Sequence, residues 1–318
     1  MINNTLMKEY RSRINRVEDY IQLNLDADMN LDELADVAAF SKFHFARIFT
    51  MITGETLFQY IQRMRIEKAA SMLLANPGIS VTETACACGF SSSQAFSRSF
   101  RQRFGVSATR WRAIGGRTPE IIERIQRLQK RLDKDKNADP VSRPAEHTLT
   151  NLVPEKISIV EIDDIEVIYV RYTGPFQADT GLFTGLFEKL YRWADSRSLR
   201  DSGSRTFCIV HTNPAITDDH KIRLSCCLSV REDVKPEGEI SRMTIKGGRY
   251  ARALYSINDL QYSQAWSYFY TKWLPSSGFQ PDEQPAFEEY LEGADQSSPE
   301  STSLEKHPVL LWLPVRPL

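Results

Sequence analysis

The stretch Leu34–Thr56, LADVAAFSKFHFARIFTMITGET, recurs at Thr84–Ser107 as TACACGFSSSQAFSRSFRQRFGVS. Ala35 falls on Ala85, Phe40 on Phe90 and Ser41 on Ser91. After one inserted residue, Phe45 falls on Phe96, Arg47 on Arg98, Phe49 on Phe100 and Gly54 on Gly105. Self-similarity at a period of about 50 residues signals two copies of one supersecondary unit. Each copy reads as a short helix of small apolar residues, a sharp turn at Phe-Ser, and a second helix capped by serine and stopped by glycine. That is a helix-turn-helix plan, whose second helix can lie in a DNA major groove. In the second copy, helical steps of about 100° place Phe96, Phe100 and Phe104 on one side. Gln94, Ser97, Arg98 and Arg101 fall on an adjacent arc, offered outward.

Such an arc has a chemical use. Arginine donates a bidentate pair to guanine, glutamine both donates to and accepts from adenine, and serine or a further arginine holds phosphate oxygens. Alone, the same face would suit any solvated helix; duplication is what favours DNA. Between the copies, TLFQYIQRMRIEKAASMLLAN (56–76) reads as one helix of about 20 residues and about 30 Å. That is close to the roughly 34 Å of one DNA turn, so two recognition helices could enter successive major grooves.

The chain has 318 residues, 42% hydrophobic and 25% charged, an ordinary globular composition for about two domains. Its net charge of -1 hides an asymmetry: residues 1–150 hold 22 Lys+Arg against 17 Asp+Glu, and 151–318 hold 18 against 24. The halves want different partners. No signal-type leader and no run of about 18 apolar residues is present, so the expected location is cytoplasmic, with no membrane partner. Five cysteines, Cys86, Cys88, Cys208, Cys226 and Cys227, read as reduced, buried apolar thiols. Cys86 and Cys88 project about 200° apart on a helix and do not close on one ion, so no metal and no cofactor is expected. His44, His147, His211, His220 and His307 are scattered, and no G-x-S-x-G, P-loop or H-E-x-x-H occurs; no catalytic residue is assigned.

After residue 150 the pattern changes to short β-branched and aromatic runs: ISIVEI, EVIYVRYTG, RTFCIVHT, IRLSCCLSV, ISRMTIKG, RYARALYSI and PVLLWLPV. With helices around GLFTGLFEKLYRWADSR and LQYSQAWSYFYTKWLPSSG, they form a duplicated strand-strand-helix-strand-strand unit. The expected fold is therefore an all-α double helix-turn-helix domain at 8–112 and an α+β domain at 154–318. The intervening 113–153 reads as a charged amphipathic helix, with Ile121, Ile125, Leu128 and Leu132 on one face, followed by a polar linker. Its basic residues suit solvent or DNA phosphates, as do Arg103, Arg110 and Arg112.

Residues 10–112 resemble the AraC/XylS family of transcriptional regulators, through LDELADVAAFSKFHFARIFTMITGETLFQYIQRMRIEKAASMLL and VTETACACGFSSSQAFSRSFRQRFGVSATRWR. The resemblance implies contacts to double-stranded promoter DNA from Lys42, Phe43, Ala46 and Arg47 on the first recognition helix. On the second it implies Ser93, Gln94, Ser97 and Arg98, with Arg101 on phosphate, and it implies RNA polymerase as a partner. Ala46 stands where the family commonly has glutamine, Thr84 where an aliphatic residue is usual, and Ala108 where proline is usual. Phe43 can meet a thymine methyl or pack internally. Tandem recognition units let a monomer read a non-palindromic site, and the helix at 118–133 leaves a homodimer open.

Residues 154–318 resemble the GyrI-like effector-binding domain, through YVRYTGPF, HTNPAITDDHKIRLSCCLSV, GGRYARAL, WLPSSGFQPDEQPAFEEYLE and HPVLLWLPV. The resemblance implies a groove for a small-molecule effector, often cationic and lipophilic, around a buried glutamate with aromatic walls. Here that glutamate is Glu288, with Tyr290, Trp193, Tyr268, Trp273 and Tyr169 as the aromatic candidates. A buried carboxylate is costly unless neutralised, and aromatic faces bind the same cation that would neutralise it. Ile257 replaces a frequent glycine and narrows one end. Two alternatives stay open for this half: a glutamate-dependent hydrolase of small electrophiles, and a protein-interaction module of the gyrase-inhibitor kind.

Overall fold

A computed structural model describes residues 4–76, 78–123, 152–176, 180–231, 234–259, 261–291 and 306–318. The chain divides into a helical unit, which takes in the residues up to 122 with segments 212–217 and 235–243, and a sheet unit.

The helical unit is two copies of the repeated motif with long helices before and between them. It comprises α1 (Asn4–Leu23), α2 (Leu31–Val37), α3 (Lys42–Thr53), α4 (Leu57–Ala75), α5 (Val81–Ala87), α6 (Ser93–Phe104) and α7 (Ala108–Ala113). Side chains write the boundaries. Asn30 accepts from the Glu33 amide, Ser92 from Ala95 and Ser107 from Arg110, while Thr56 with Gln59 and Ser80 with Glu83 make capping boxes. Gly54 and Gly105 end α3 and α6 in the left-handed conformation, at φ 75° and 71°.

Each motif has its own core. Leu34, Phe45 and Phe49 pack with Tyr60, Ile61 and Met64 of α4; Phe96, Phe100, Phe104 and Trp111 pack with Ile66, Ala69, Ala70 and Leu73 of the same helix. So α4 offers one motif its first half and the other its second. Arg65 donates to the carbonyls of Leu25 at 2.8 Å and Ala27 at 2.7 Å, tying the α1–α2 loop to α4. Arg63, largely buried, pairs with Glu55 and Glu67. Two arginines expected on phosphates are instead structural. Arg112 donates to the carbonyls of Leu73 and Ile79, and Arg103 is half-buried, 3.7 Å from Glu67 and stacked on Phe104. Thr118 caps a helical turn at 119–123 with Ile121 buried; Ile125, Leu128, Leu132 and the linker lie outside the described residues.

The sheet comprises strands β1 (Lys156–Ile162), β2 (Ile165–Thr173), β3 (Thr206–Val210), β4 (Arg223–Ser229), β5 (Ile240–Ile245), β6 (Gly248–Ile257), β7 (Phe279–Pro281), β8 (Phe287–Tyr290) and β9 (His307–Pro317). Helix α8 (Thr180–Asp195) follows β2. Helix α9 (Tyr262–Tyr268) follows β6 and continues into a π-helical turn, Phe269–Trp273, and a 3-10 turn, Leu274–Ser276. The order across the sheet is β1-β6-β9-β8-β3-β4-β2-β5, with β7 on β9. This is the duplicated strand-strand-helix-strand-strand unit with one exchange. The first strand of each copy, β1 or β5, flanks the second strand of the other copy, so the copies join at β3 and β8.

A strand's side chains alternate between faces, so one row of ladder partners shares a face. Ile157, Ala253, Leu311, Glu288, Cys208, Cys226 and Val170 form such a row through successive pairings. Both helices cover that face: Ala265 and Phe269 pack with Ala253 and Leu311, and Phe187 of α8 meets Tyr290 edge-on at 5.7 Å. Glu288 therefore stands at the join of the two copies, under the seam between α8 and α9.

Candidate functional site

On α3, Lys42, Phe43 and Arg47 are exposed and Ala46 is half-buried; Phe43 is 84% exposed and so does not pack internally. Lys42 forms an ion pair with Asp32 at 2.8 Å. On α6, Ser93, Gln94, Ser97, Arg98 and Arg101 are all exposed, while Phe96, Phe100 and Phe104 are buried on the opposite side. The aromatic row fixes the roll of the helix, and the roll turns Gln94 and Arg98 outward together. Arg110 is exposed as well.

In the sheet unit, both oxygens of Glu288 accept hydrogen bonds: from Trp266 Nε1 to Oε1 at 2.8 Å and from the Tyr290 hydroxyl to Oε2 at 3.0 Å. Both donors are neutral. Burial raises the Glu288 carboxyl to about 7, although the two hydrogen bonds pull the other way. The chain continues outward. Tyr262 lies beside Tyr290 with ring centres 6.5 Å apart, its hydroxyl is 2.8 Å from His307 Nε2, and that nitrogen is 4.0 Å from Asp259. Burial holds both Tyr262 and Tyr290 well above the usual phenol range, so they stay protonated and carry hydrogen bonds rather than charge.

The adjacent residue shows the contrast. Glu289 points to the other face, where Arg205 grips it with two bonds of 2.7 and 3.0 Å and Trp312 Nε1 donates at 2.9 Å. Glu289 has its cation; among the described residues, Glu288 has none.

Of the aromatic residues expected around Glu288, the structure brings only Tyr290 against it. Tyr169 is buried on the other face, opposite Cys227 in the ladder, under the Arg171 guanidinium at 4.8 Å. Trp193 lies two residues beyond Tyr191, about 200° around α8, and carries Arg197 at 4.1 Å from its ring centre. Tyr268 is likewise about 200° from Trp266, and Trp273 lies farther along, packed on Phe269 at 5.1 Å. In their place stand Trp266, Tyr262 and Phe187. Tyr262 and Trp266 are four residues apart, one helical face, so the period of α9 carried the signal. Glu288, Tyr290, Tyr262 and Trp266 are all half-buried. A depression of about 470 Å³ lies elsewhere in the unit, lined by Glu161–Ile165 and Arg205 without an aromatic wall.

Cys88, Cys208, Cys226 and Cys227 are buried, but Cys86 is exposed, because the short α5 turns only its other side to the core. Among the described residues, no three His, Cys, Asp or Glu side chains are placed to hold a metal, and no helix is long and apolar enough to cross a membrane.

Comparison with known proteins adds the family. The GyrI-like small molecule binding domain matches residues 155–316, half of the chain, and a helix-turn-helix domain matches residues 34–114. The chain is 29% identical over 146 residues to the DNA gyrase inhibitor of Erwinia billingiae, covering 44% of this chain and 89% of that protein. It is 33% identical over 101 residues to the HTH-type transcriptional activator AarP of Providencia stuartii, covering 32% of this chain and 74% of that protein. Among solved structures it is similar to the EcmrR–DNA complex in EcmrR-RPo, over 96% of this chain and 95% of that one, at 14% identity and a TM-score of 0.43.

Proposed function

Because this chain belongs to the AraC-type DNA-binding transcriptional regulators that carry a GyrI-like small molecule binding domain, we propose that its effector is a lipophilic cation received by Glu288. We further propose that promoter DNA is read by Lys42, Phe43, Ala46 and Arg47 from α3 and by Ser93, Gln94, Ser97, Arg98 and Arg101 from α6. The observation that carries the effector reading is a half-buried carboxylate with two neutral donors and, among the described residues, no cation, beside a buried neighbour that has one. A cationic ligand supplies the missing charge, and the rings of Trp266, Tyr262 and Phe187 offer it their faces. Trp266 gives up its bond to Oε1 when the ligand arrives, and the adjoining π-helical turn is where α9 yields.

The test is a titration of the full chain with tetraphenylphosphonium and, separately, with neutral triphenylphosphine oxide. Glu288→Gln is expected to weaken the cation by about tenfold or more, roughly 1.4 kcal/mol, and the neutral compound by less than about twofold. Equal losses for both ligands would overturn the reading. A carboxyl poised near 7 and wired to His307 also suits a general base, which favours the hydrolase as a second reading. Turnover of an electrophilic ester, lost in Glu288→Gln, would support that reading instead.

A further inference from the structure

The helix-covered face of the sheet holds two sulfur atoms that the effector reading does not use. Cys208 and Cys226 lie directly opposite each other on the adjacent antiparallel strands β3 and β4. Residues so placed have Cβ atoms about 4.5–5.5 Å apart. Both are free and buried, at 1% and 0% exposure. Cys208 also stands opposite Glu288 on β8, which places the pair on the helix-covered face. The remaining cysteines are elsewhere: Cys227 leaves by the other face with its Sγ donating to the Ser225 carbonyl, Cys88 is in the helical unit, and Cys86 is exposed.

We propose that Cys208 and Cys226 form a dithiol site for a soft divalent metal ion of the mercuric type. In the binding step two S–H bonds break, two sulfur–metal bonds form and two protons leave to solvent, with no change of oxidation state. Charge selects the ion. Two thiolates and one divalent cation make a neutral complex, which a buried site tolerates, whereas Cu(I) would leave a net negative charge in low dielectric beside a carboxyl group. Coordination number selects it again. The pair offers two donors, and among the described residues no third His, Cys, Asp or Glu completes a group. Zinc asks for four ligands, while mercuric ion is content with two in line. Burial raises the Cys226 thiol, so the ion must displace a firmly held proton and its affinity climbs with pH.

The site uses sulfur and not the carboxylate, so it stands or falls independently of the cationic effector. The experiment takes the full chain as Cys86→Ser, which removes the exposed thiol, in thiol-free anaerobic buffer titrated with mercuric chloride. One ion per chain, two protons released to an indicator dye and a near-ultraviolet sulfur-to-mercury band are expected. Cys208→Ser and Cys226→Ser are each expected to abolish the band and weaken binding at least 100-fold, with Cys227→Ser within about twofold of the parent. A band and stoichiometry unchanged in both serine variants would overturn the site. Should those variants misfold, alkylation of the mercury-loaded Cys86→Ser chain after brief unfolding decides the matter. Protection of Cys208 and Cys226 with Cys88 and Cys227 modified supports the proposal, and any other pattern defeats it.

Discussion

Glu288 and Glu289 are consecutive residues with opposite electrostatics, because a strand sends neighbours to opposite faces. That difference has a measurable consequence. The Glu288 carboxyl is raised from 4.5 to about 7, so the folded protein holds this proton more tightly than the unfolded chain does. Its contribution to stability is therefore intact below about pH 4.5 and is lost as pH rises through about 7. A shift of that size amounts to roughly 3 kcal/mol. Glu288→Gln is expected to flatten this pH dependence and to be the more stable protein at pH 8. Denaturant unfolding of both proteins at pH 5 and pH 8 checks it, and parallel pH profiles would show that Glu288 is not the group. At the other end of the chain, Arg98→Ala is expected to cost about 1–3 kcal/mol at the cognate DNA site and to relax base preference there; an unchanged footprint and affinity would remove Arg98 as a reader. Glu288 was legible in the sequence only through its family motif. Trp266 was not, because which of six closely spaced aromatics meets a strand depends on the roll of α9, and a π-helical turn shifts that roll after Tyr268.

The two helix-turn-helix copies differ at one backbone position that matters. The residue before the Phe-Ser turn is Ala39 in the first copy and Gly89 in the second, and both are left-handed, at φ 52° and 72°. Only glycine adopts this conformation without steric cost. Ala39→Gly is therefore expected to stabilise the helical unit by up to about 1 kcal/mol. Gly89→Ala should destabilise by more than that, since its new Cβ would lie 2.4 Å from the Leu25 carbonyl oxygen and 2.9 Å from the Arg65 guanidinium. Thermal unfolding of the two variants checks both signs, and equal effects would contradict the inferred turn. The repeat made both motifs visible because helix caps and apolar spacing are local signals. The strands were equally plain as β-branched runs. The exchange of β1 and β5 between copies was not, since it rests on pairings such as Lys156 with Leu254, about a hundred residues apart, and no local pattern specifies them.

At the scale of the whole chain, a net charge of -1 gives no overall attraction to DNA, so binding has to come from local charge. We propose that the excess of basic residues before position 150 supplies it and that the exposed arginines of α3 and α6 aim it. In the proposed reading, α3 and α6 are two recognition helices joined by α4, a helix of 19 residues and about 28 Å, so that a single copy reaches two successive major grooves. The expected outcome is a simple one-to-one isotherm on a non-palindromic site. Arg47→Ala and Arg98→Ala should then weaken opposite ends of one footprint, with nearly additive losses. Arg101→Ala should reduce affinity about equally for all sequences and lower the slope of log K against log salt by about 1. Sedimentation of the complex together with footprinting over a salt series reads all three. Two chains per site, or both arginine losses falling on the same end of the footprint, would mean that the tandem motifs do not act as two readers on one chain.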